Sequence, residues 1–203
     1  MLASLIALVV PPLCLACGAH AGRAAPLCRD CRAEMRPALA SPGVWAAFDY
    51  EGPAGALVRA LKFGGRVAVA DVMAAQLAAA LPAERLSGVV VPVPAHPAHR
   101  RRRGVDHAAA LAQALSRRAS LGYAACLVRA GDPQPQVGRG RRARMAGPAG
   151  SVALRSGGRA PREVLLVDDV VTTGATLAAC ANALTLAGVQ RVTRIAYART
   201  TAR

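Results

Sequence analysis

Val164-Leu-Leu-Val-Asp168-Asp169-Val170-Val171-Thr172-Thr173-Gly174-Ala175-Thr176-Leu177 decides how this chain is read. Residues 164–167 are the strongest buried-strand signal in the sequence: four apolar residues in a row, framed by polar ones. Two adjacent carboxylates follow at the carboxyl end of that strand. A hydroxyl-rich turn with one glycine comes next, and then an apolar stretch over 174–187, closed by Gly188, that reads as a helix. In open α/β sheets ligands bind where strands end and helices begin.

Such a turn does what a phosphate requires. Backbone N–H groups converge on one concavity, and the helix N-terminus adds positive potential. Thr172, Thr173 and Thr176 can add hydroxyl donors, and Gly174 lets the backbone approach closely. The carboxylates of Asp168 and Asp169 cannot bind the phosphate itself, but they can accept hydrogen bonds from vicinal ribose hydroxyls. Mg²⁺ is expected near the same edge, directly or through water. The string as a whole therefore suits a ribose 5-phosphate. A single aspartate at a strand end beside a threonine cap would carry no such meaning.

The rest of the chain supplies the matching architecture. Residues 44–50 read as a strand or strand pair, ended by Gly52-Pro53. Helices are expected over 55–63, 67–81 and 104–118, and strands over 88–93, 124–128, 151–154 and 192–198. Strands alternating with helices predict an α/β domain with a mostly parallel sheet. Residues 129–150 hold five glycines, three prolines and five arginines with almost no large apolar residue, which reads as a long basic loop. No period of 20–50 residues recurs, so a solenoid is not expected.

Six cysteines are present, and the first four form Cys14-x2-Cys17-x10-Cys28-x2-Cys31. Two Cys-x-x-Cys knuckles can set four thiolates tetrahedrally around a structural Zn²⁺. Gly18 and Gly22 permit the short connection. His20 reads as a surface residue rather than a ligand, and Cys126 and Cys180 as small core residues. Residues 1–10 are apolar but too short to span a bilayer, and they lack the basic start of a signal peptide. They read as a short docking helix, and the chain is expected in a reducing cytoplasm. Residues 1–40 are thus assigned to a docking helix and a four-cysteine zinc ribbon, and 41–203 to the α/β domain.

The 203 residues are 54% hydrophobic, ample for one buried core, yet only 3% aromatic, with 48 alanines. The core must be small and aliphatic. The formal net charge is +15, carried by 25 arginines and one lysine, Lys62. Much of that ratio fits a coding bias, but residues 96–144 concentrate eleven arginines against two acids. A field of that sign attracts phosphate, whether in a nucleotide, a nucleic acid or a lipid.

Taken together, these segments resemble the 5-phosphoribosyl-1-pyrophosphate (PRPP) motif of type I phosphoribosyltransferases. They resemble most closely the ComF family (competence protein F), which is related to the amidophosphoribosyltransferases. The likeness runs almost end to end. It includes the double-cysteine ribbon, Tyr50-Glu-Gly, Leu61-Lys62-Phe63-x-Gly65-Arg66, Val91-Pro-Val-Pro94 with His96-Pro97, Arg103-Gly104, Gln136 with its basic stretch, and the string from Asp168 to Thr176.

The resemblance implies a type I phosphoribosyltransferase-like domain over 41–203. Its PRPP contacts would be Asp168, Asp169, Val170, Thr172, Thr173, Gly174, Ala175 and Thr176. A pyrophosphate loop would contain Arg100, Arg103 and Gly104, and a hood would carry Gln136, Arg139, Arg142 and Arg144. It implies Mg²⁺ with PRPP, possible phosphoribosyl transfer, and a part in DNA uptake and natural transformation. Single-stranded DNA and the inner-membrane uptake machinery would then be partners. The alternative is a non-catalytic protein that handles single-stranded DNA or senses nucleotides and uses the PRPP site for regulation. The scarcity of aromatics for base stacking limits that version to electrostatic contact. The chain departs from the family pattern at Val105, Asp106 and His107 and at Gly147 and Val152, which bears on the second substrate rather than on PRPP. His107, early in a helix after Asp106, reads as a capping or solvent-exposed residue rather than an acid or base.

Overall fold

A computed structural model describes residues 13–22, 25–63, 68–95, 106–129, 152–155 and 160–200. In chain order these form helix α1 (Arg29–Ala33), strand β1 (Trp45–Asp49), helices α2 (Gly52–Phe63) and α3 (Ala68–Ala80), a 3₁₀ turn (Ala83–Arg85) and strand β2 (Val89–Pro92). Helix α4 (His107–Ala119), strands β3 (Leu127–Arg129), β4 (Val152–Leu154) and β5 (Glu163–Val171), helix α5 (Ala175–Leu186) and strand β6 (Arg191–Arg199) follow.

The main sheet runs β1-β6-β5-β2, and every neighbouring pair is parallel. β3 and β4 form a separate antiparallel hairpin. The chain is therefore a mixed α/β protein with a parallel central sheet, as its strand–helix alternation predicts.

A parallel sheet covered on both faces needs strands that are apolar on both sides, and β5 shows how this chain meets that demand. Leu165 and Val167 join Val90, Ile195 and Tyr197 against α2, α3 and α4, through Leu57, Leu61, Met73, Leu77, Leu111 and Leu115. Val164 and Leu166 join Val91 and Ala196 against α5 and the hairpin, through Leu177, Cys180, Leu184 and Leu127. Both sets are fully buried or nearly so. Because aromatics are scarce, the volume is filled by leucine, valine and alanine; Tyr197 is the large exception.

Both sheet edges are covered. On the outer side of β1, Ala38 N–H donates to Ala47 C=O (3.1 Å) and Asp49 N–H donates to Arg36 C=O (3.0 Å). On the outer side of β2, Val90 N–H donates to Gly122 C=O (2.8 Å) and Ala124 N–H to Val90 C=O (3.0 Å). Such cover reduces what the edges of the four-stranded sheet offer for pairing with another chain.

Strand β3 begins at Leu127 rather than at 124, and two further boundaries that differ from the sequence reading bear on the site. Helix α2 begins at Gly52, not residue 55, because a proline in the first helical turn is pre-set for the helix and gives up an N–H that would be unpaired anyway. Strand β5 continues four residues past 167, because its ladder to β6 pairs Asp168 with Ala196, Val170 with Ala198 and Val171 with Arg199. The two aspartates thus lie within the strand.

Tyr197 is fully buried, and its hydroxyl donates to Gln76 Oε1 (2.7 Å). The same amide donates through Nε2 to the Met35 sulfur (3.3 Å), and the Tyr197 ring packs at a tilt on Phe48. Burial pushes the Tyr197 phenol far above its ordinary range. A buried hydroxyl with one good partner leaves that partner stranded when it is removed. Tyr197→Phe should therefore lower unfolding stability by about 1–2 kcal/mol in urea melts with no change in the denaturant slope.

Candidate ligand site and metal centre

The four ribbon cysteines come together at the N-terminal end. Cys14, Cys28 and Cys31 are buried and Cys17 is exposed, and all four sulfurs lie within 4.8 Å of one another. Gly18 and Gly22 take positive φ, 76° and 63°, and turn the chain between the knuckles. The first knuckle is closed by Gly18 N–H donating to Cys14 C=O (2.9 Å) and Cys14 N–H to Ala19 C=O (2.7 Å). In the second, Cys28 caps helix α1, its sulfur accepting from Cys31 N–H (3.5 Å).

These cysteines are arranged to bind a metal ion. A tetrahedral Zn²⁺ with bonds of about 2.3 Å would hold its sulfurs about 3.8 Å apart, and Cys17 Sγ and Cys28 Sγ are separated by 3.8 Å. At Cys14, burial opposes the thiolate, but backbone hydrogen bonds from Cys17, Cys28 and Ala16 outweigh it and bring the thiol down to about 6. Cys31 is pushed upward, chiefly by burial and then by the other sulfurs. His20 stands outside the cluster on the exposed side.

Residues 5–43 match the double zinc ribbon domain. The match covers the ribbon alone, and comparison with curated proteins finds no match for the chain. The ribbon is no loose appendage: Cys14, Ala21, Leu27, Cys28 and Cys31 share one apolar cluster with Leu57, Met73 and Leu77 of the α/β part. Among the described residues no helix is long and apolar enough to cross a membrane.

The second candidate site lies at the carboxyl edge of the sheet. Asp168 and Asp169 are consecutive in a strand, so their side chains leave on opposite faces. Asp169 turns toward α2, where its Oδ1 meets Lys62 Nζ at 3.1 Å, with the two side chains 9% and 23% exposed. Asp168 lies on the side of Arg129 and Cys180. Its Oδ1 accepts from Asp169 N–H (2.8 Å).

Burial, and then the charge of Asp169, push the Asp168 carboxyl up to about 8, while that N–H, Lys62 and Arg129 pull it back only in part. Burial likewise pushes the Cys180 thiol up to about 12, as expected of a core cysteine. Cys126, also buried, is raised for the same reason.

Beyond β5, Thr172 and Thr173 are exposed, and Gly174 occupies the left-handed region at φ 79° and ψ 0°. An added Cβ there would make only ordinary contacts with Val44 and Val171, so glycine is needed for its backbone angle and not for space. Gly174 offers no side-chain cap to α5. Thr173 Oγ1 accepts from Ala175 N–H (3.3 Å), and Ala178 N–H donates to Gly174 C=O (2.9 Å) as the first full helical bond. The first-turn amides of Thr176 and Leu177 have no partner within the helix itself, the usual condition at a helix start.

The anchors of two sequence-nominated loops meet at this edge. Past β2, Val93 N–H donates to Val167 C=O (2.9 Å), bringing 94–95 beside Asp168. Asp106 caps α4 by accepting from Ala109 N–H (3.0 Å) through Oδ1, and its Oδ2 accepts from Ala95 N–H (3.4 Å). One carboxylate thus ties together both ends of segment 96–105. Arg129 Nε donates to Pro94 C=O (2.8 Å), bringing the start of segment 130–151 to the same point.

Arg100, Arg103, Gly104, Val105, Gln136, Arg139, Arg142, Arg144 and Gly147 lie outside the described residues. His107 is buried at 9%, not solvent-exposed, because it opens α4 with its ring turned inward. Val152 lies half-buried in β4. A separate concavity of about 380 Å³ lies at the end of β1, lined by Glu34, Arg36, Asp49, Glu51, Gly52 and Pro53, and contains none of the nominated site residues.

The roles of Lys62 and Arg129 in this edge did not follow from sequence spacing. One signal pointed to the first, since Lys62 is the lone lysine among 25 arginines.

Two outcomes are expected. Cys31→Ser should lose the bound metal, measured by elemental analysis, and should melt at lower temperature, because a ligand removed from a structural site removes folding energy. At Asp168 the folded carboxyl holds its proton up to about pH 8, where the unfolded chain releases it near the ordinary 3.8. The folded state binds more protons across that window, so stability falls as pH rises from about 4 to about 8. Asp168→Asn should remove this slope and be more stable than the wild type at pH 8 in urea melts.

Proposed function

We propose that this chain is a PRPP-binding, phosphoribosyltransferase-like protein of the ComF type with a structural zinc ribbon, acting in the handling of incoming DNA. The observation that carries the reading is the end of β5. There a carboxylate pair is followed by exposed threonine hydroxyls, a left-handed Gly174 and the uncapped start of α5. The arrangement suits a ribose 5-phosphate: phosphate at the turn and helix start, vicinal hydroxyls at the carboxylates.

In this reading Thr172, Thr173, Gly174, Ala175 and Thr176 hold the 5-phosphate, and Val170, packed on the apolar cluster under α2 and α3, belongs to the same contact string. Asp168 and Asp169 receive the ribose hydroxyls. Asp168, whose carboxyl is raised by desolvation and by Asp169, can in its protonated form donate one hydrogen bond as well as accept. PRPP enters as its Mg²⁺ complex, and the metal supplies charge neutralisation to the leaving pyrophosphate. The arginines of 96–105 and 130–151, whose anchors converge beside Asp168, provide guanidinium forks for the same anion.

In transfer, the bond from C1 to the pyrophosphate oxygen breaks and a bond from the acceptor to C1 forms, and the acceptor's proton leaves to solvent. Stabilisation of the departing charge does most of the work, and little acid–base chemistry is asked of the protein. The stability lost by burying Asp168 fits a group kept for a ligand rather than for folding.

Isothermal titration with PRPP and Mg²⁺ on the zinc-loaded protein tests the reading. Saturable binding that disappears in Asp168→Asn/Asp169→Asn, with the fold retained by circular dichroism, is the expected result. Equal affinity in the double variant would remove the site assignment. Salt-dependent binding of single-stranded DNA without PRPP binding would favour the DNA-handling alternative instead.

A further inference from the structure

We propose that Lys62 is a positioning residue of the carboxylate pair: its ammonium, held by helix α2, fixes the charge and aim of Asp169 through Oδ1 and leaves Oδ2 to a ligand hydroxyl. The proposal rests on the reading of Asp168 and Asp169 as the ribose-binding carboxylates.

Three observations carry it. The first is geometric. Lys62 stands in the last turn of α2, and its Nζ lies 3.1 Å from Asp169 Oδ1 on a strand more than a hundred residues away. The second is burial. The ion pairs Arg117–Asp71 (65% and 65% exposed) and Arg191–Glu163 (56% and 44%) are solvated surface pairs of small consequence. Asp169 is 9% exposed, and a carboxylate so placed needs a cation to stay charged. The third is residue choice. A chain that uses arginine at every other basic position carries here its one lysine, a compact point charge on a flexible stem. An arginine fork would engage both carboxylate oxygens, whereas a single ammonium engages one.

The groups facing the pair come from every neighbouring element: Lys62 from α2, Arg129 from β3, Cys180 from α5, and Tyr197 of β6 in the ladder beside Asp169. Lys62 and Arg129 are the cations among them. Among the described residues Lys62 is the cation in contact with Asp169, while Arg129, whose Nε donates to Pro94 C=O, acts on Asp168. Without it, two neighbouring carboxyls in a shielded site would share a proton to higher pH.

The test compares wild type, Lys62→Met and Lys62→Arg in two measurements. In ligand-free protein, ¹³C NMR of the aspartate carboxyls should show the pair titrating about one unit higher in Lys62→Met, with Lys62→Arg close to wild type. In calorimetry with PRPP and Mg²⁺, Lys62→Met should bind about tenfold more weakly at pH 7. That deficit should shrink as the pH rises and the pair ionises, and Lys62→Arg, whose fork takes up Oδ2 as well, should recover the wild-type titration but only part of the affinity.

A folded Lys62→Met with an unmoved carboxyl titration overturns the proposal. So does a PRPP deficit of the same size at every pH, which is what a purely structural role would give. If Lys62→Met does not fold, Lys62→Gln serves the same comparison. A wild type that fails to bind PRPP overturns the ligand assignment, and with it the aim toward a ligand hydroxyl. The NMR titration decides the charge coupling independently.

Discussion

A carboxylate at the end of a strand that is buried on both faces has to carry its own counter-ion, and the ion pair between Asp169 and Lys62 meets that demand. β5 is the best-covered strand of the sheet, apolar from Val164 to Val167 on both sides. Continuing such a strand with two acids is costly in desolvation. The cost is met differently on the two faces: on one an ammonium partners Asp169, and on the other desolvation and the charge of Asp169 raise the Asp168 carboxyl. Helix α2 therefore ends where Lys62 can reach across, beside the buried Leu57 and Leu61 that pack it on the sheet.

The same edge gathers the chain's other polar commitments. Asp106 holds the two ends of the arginine-bearing segment together, and Arg129 fixes the start of the second basic segment to Pro94. Each of these bonds joins a backbone group to a charged side chain, which makes it stronger than a neutral one. Anchors of this kind let the intervening residues differ without moving the sheet edge. Asp106 serves both as the cap of α4 and as the tie to Ala95.

Much of this was legible in the sequence. The apolar run before Asp168 and the hydroxyl-rich turn after it place a strand, a turn and a helix within fourteen residues. The two Cys-x-x-Cys knuckles place a metal centre by spacing alone. What could not be read depends on contacts between distant parts of the chain. The extension of β5 to Val171 comes from its ladder with β6, which no local propensity reports. The partnership of residue 62 with residue 169 is set by how α2 lies on the sheet. His107 shows the same limit: its place at a helix start was readable, but its burial depends on the packing of α4. The opposite facing of Asp168 and Asp169 follows from strand periodicity once the strand is known to contain them.

The short backbone pairing of 36–38 along β1 gives the ribbon a second role. Those residues follow directly from helix α1, which carries Cys31, so the metal cluster steadies the strip that shields the outermost strand. A chain that lost its metal would do more than loosen a small appendage. It would uncover a row of unsatisfied amides and carbonyls on β1, an adhesive border open to another copy of the same strand. A metal held by the four cysteines would therefore steady the cover of β1 as well as the ribbon itself.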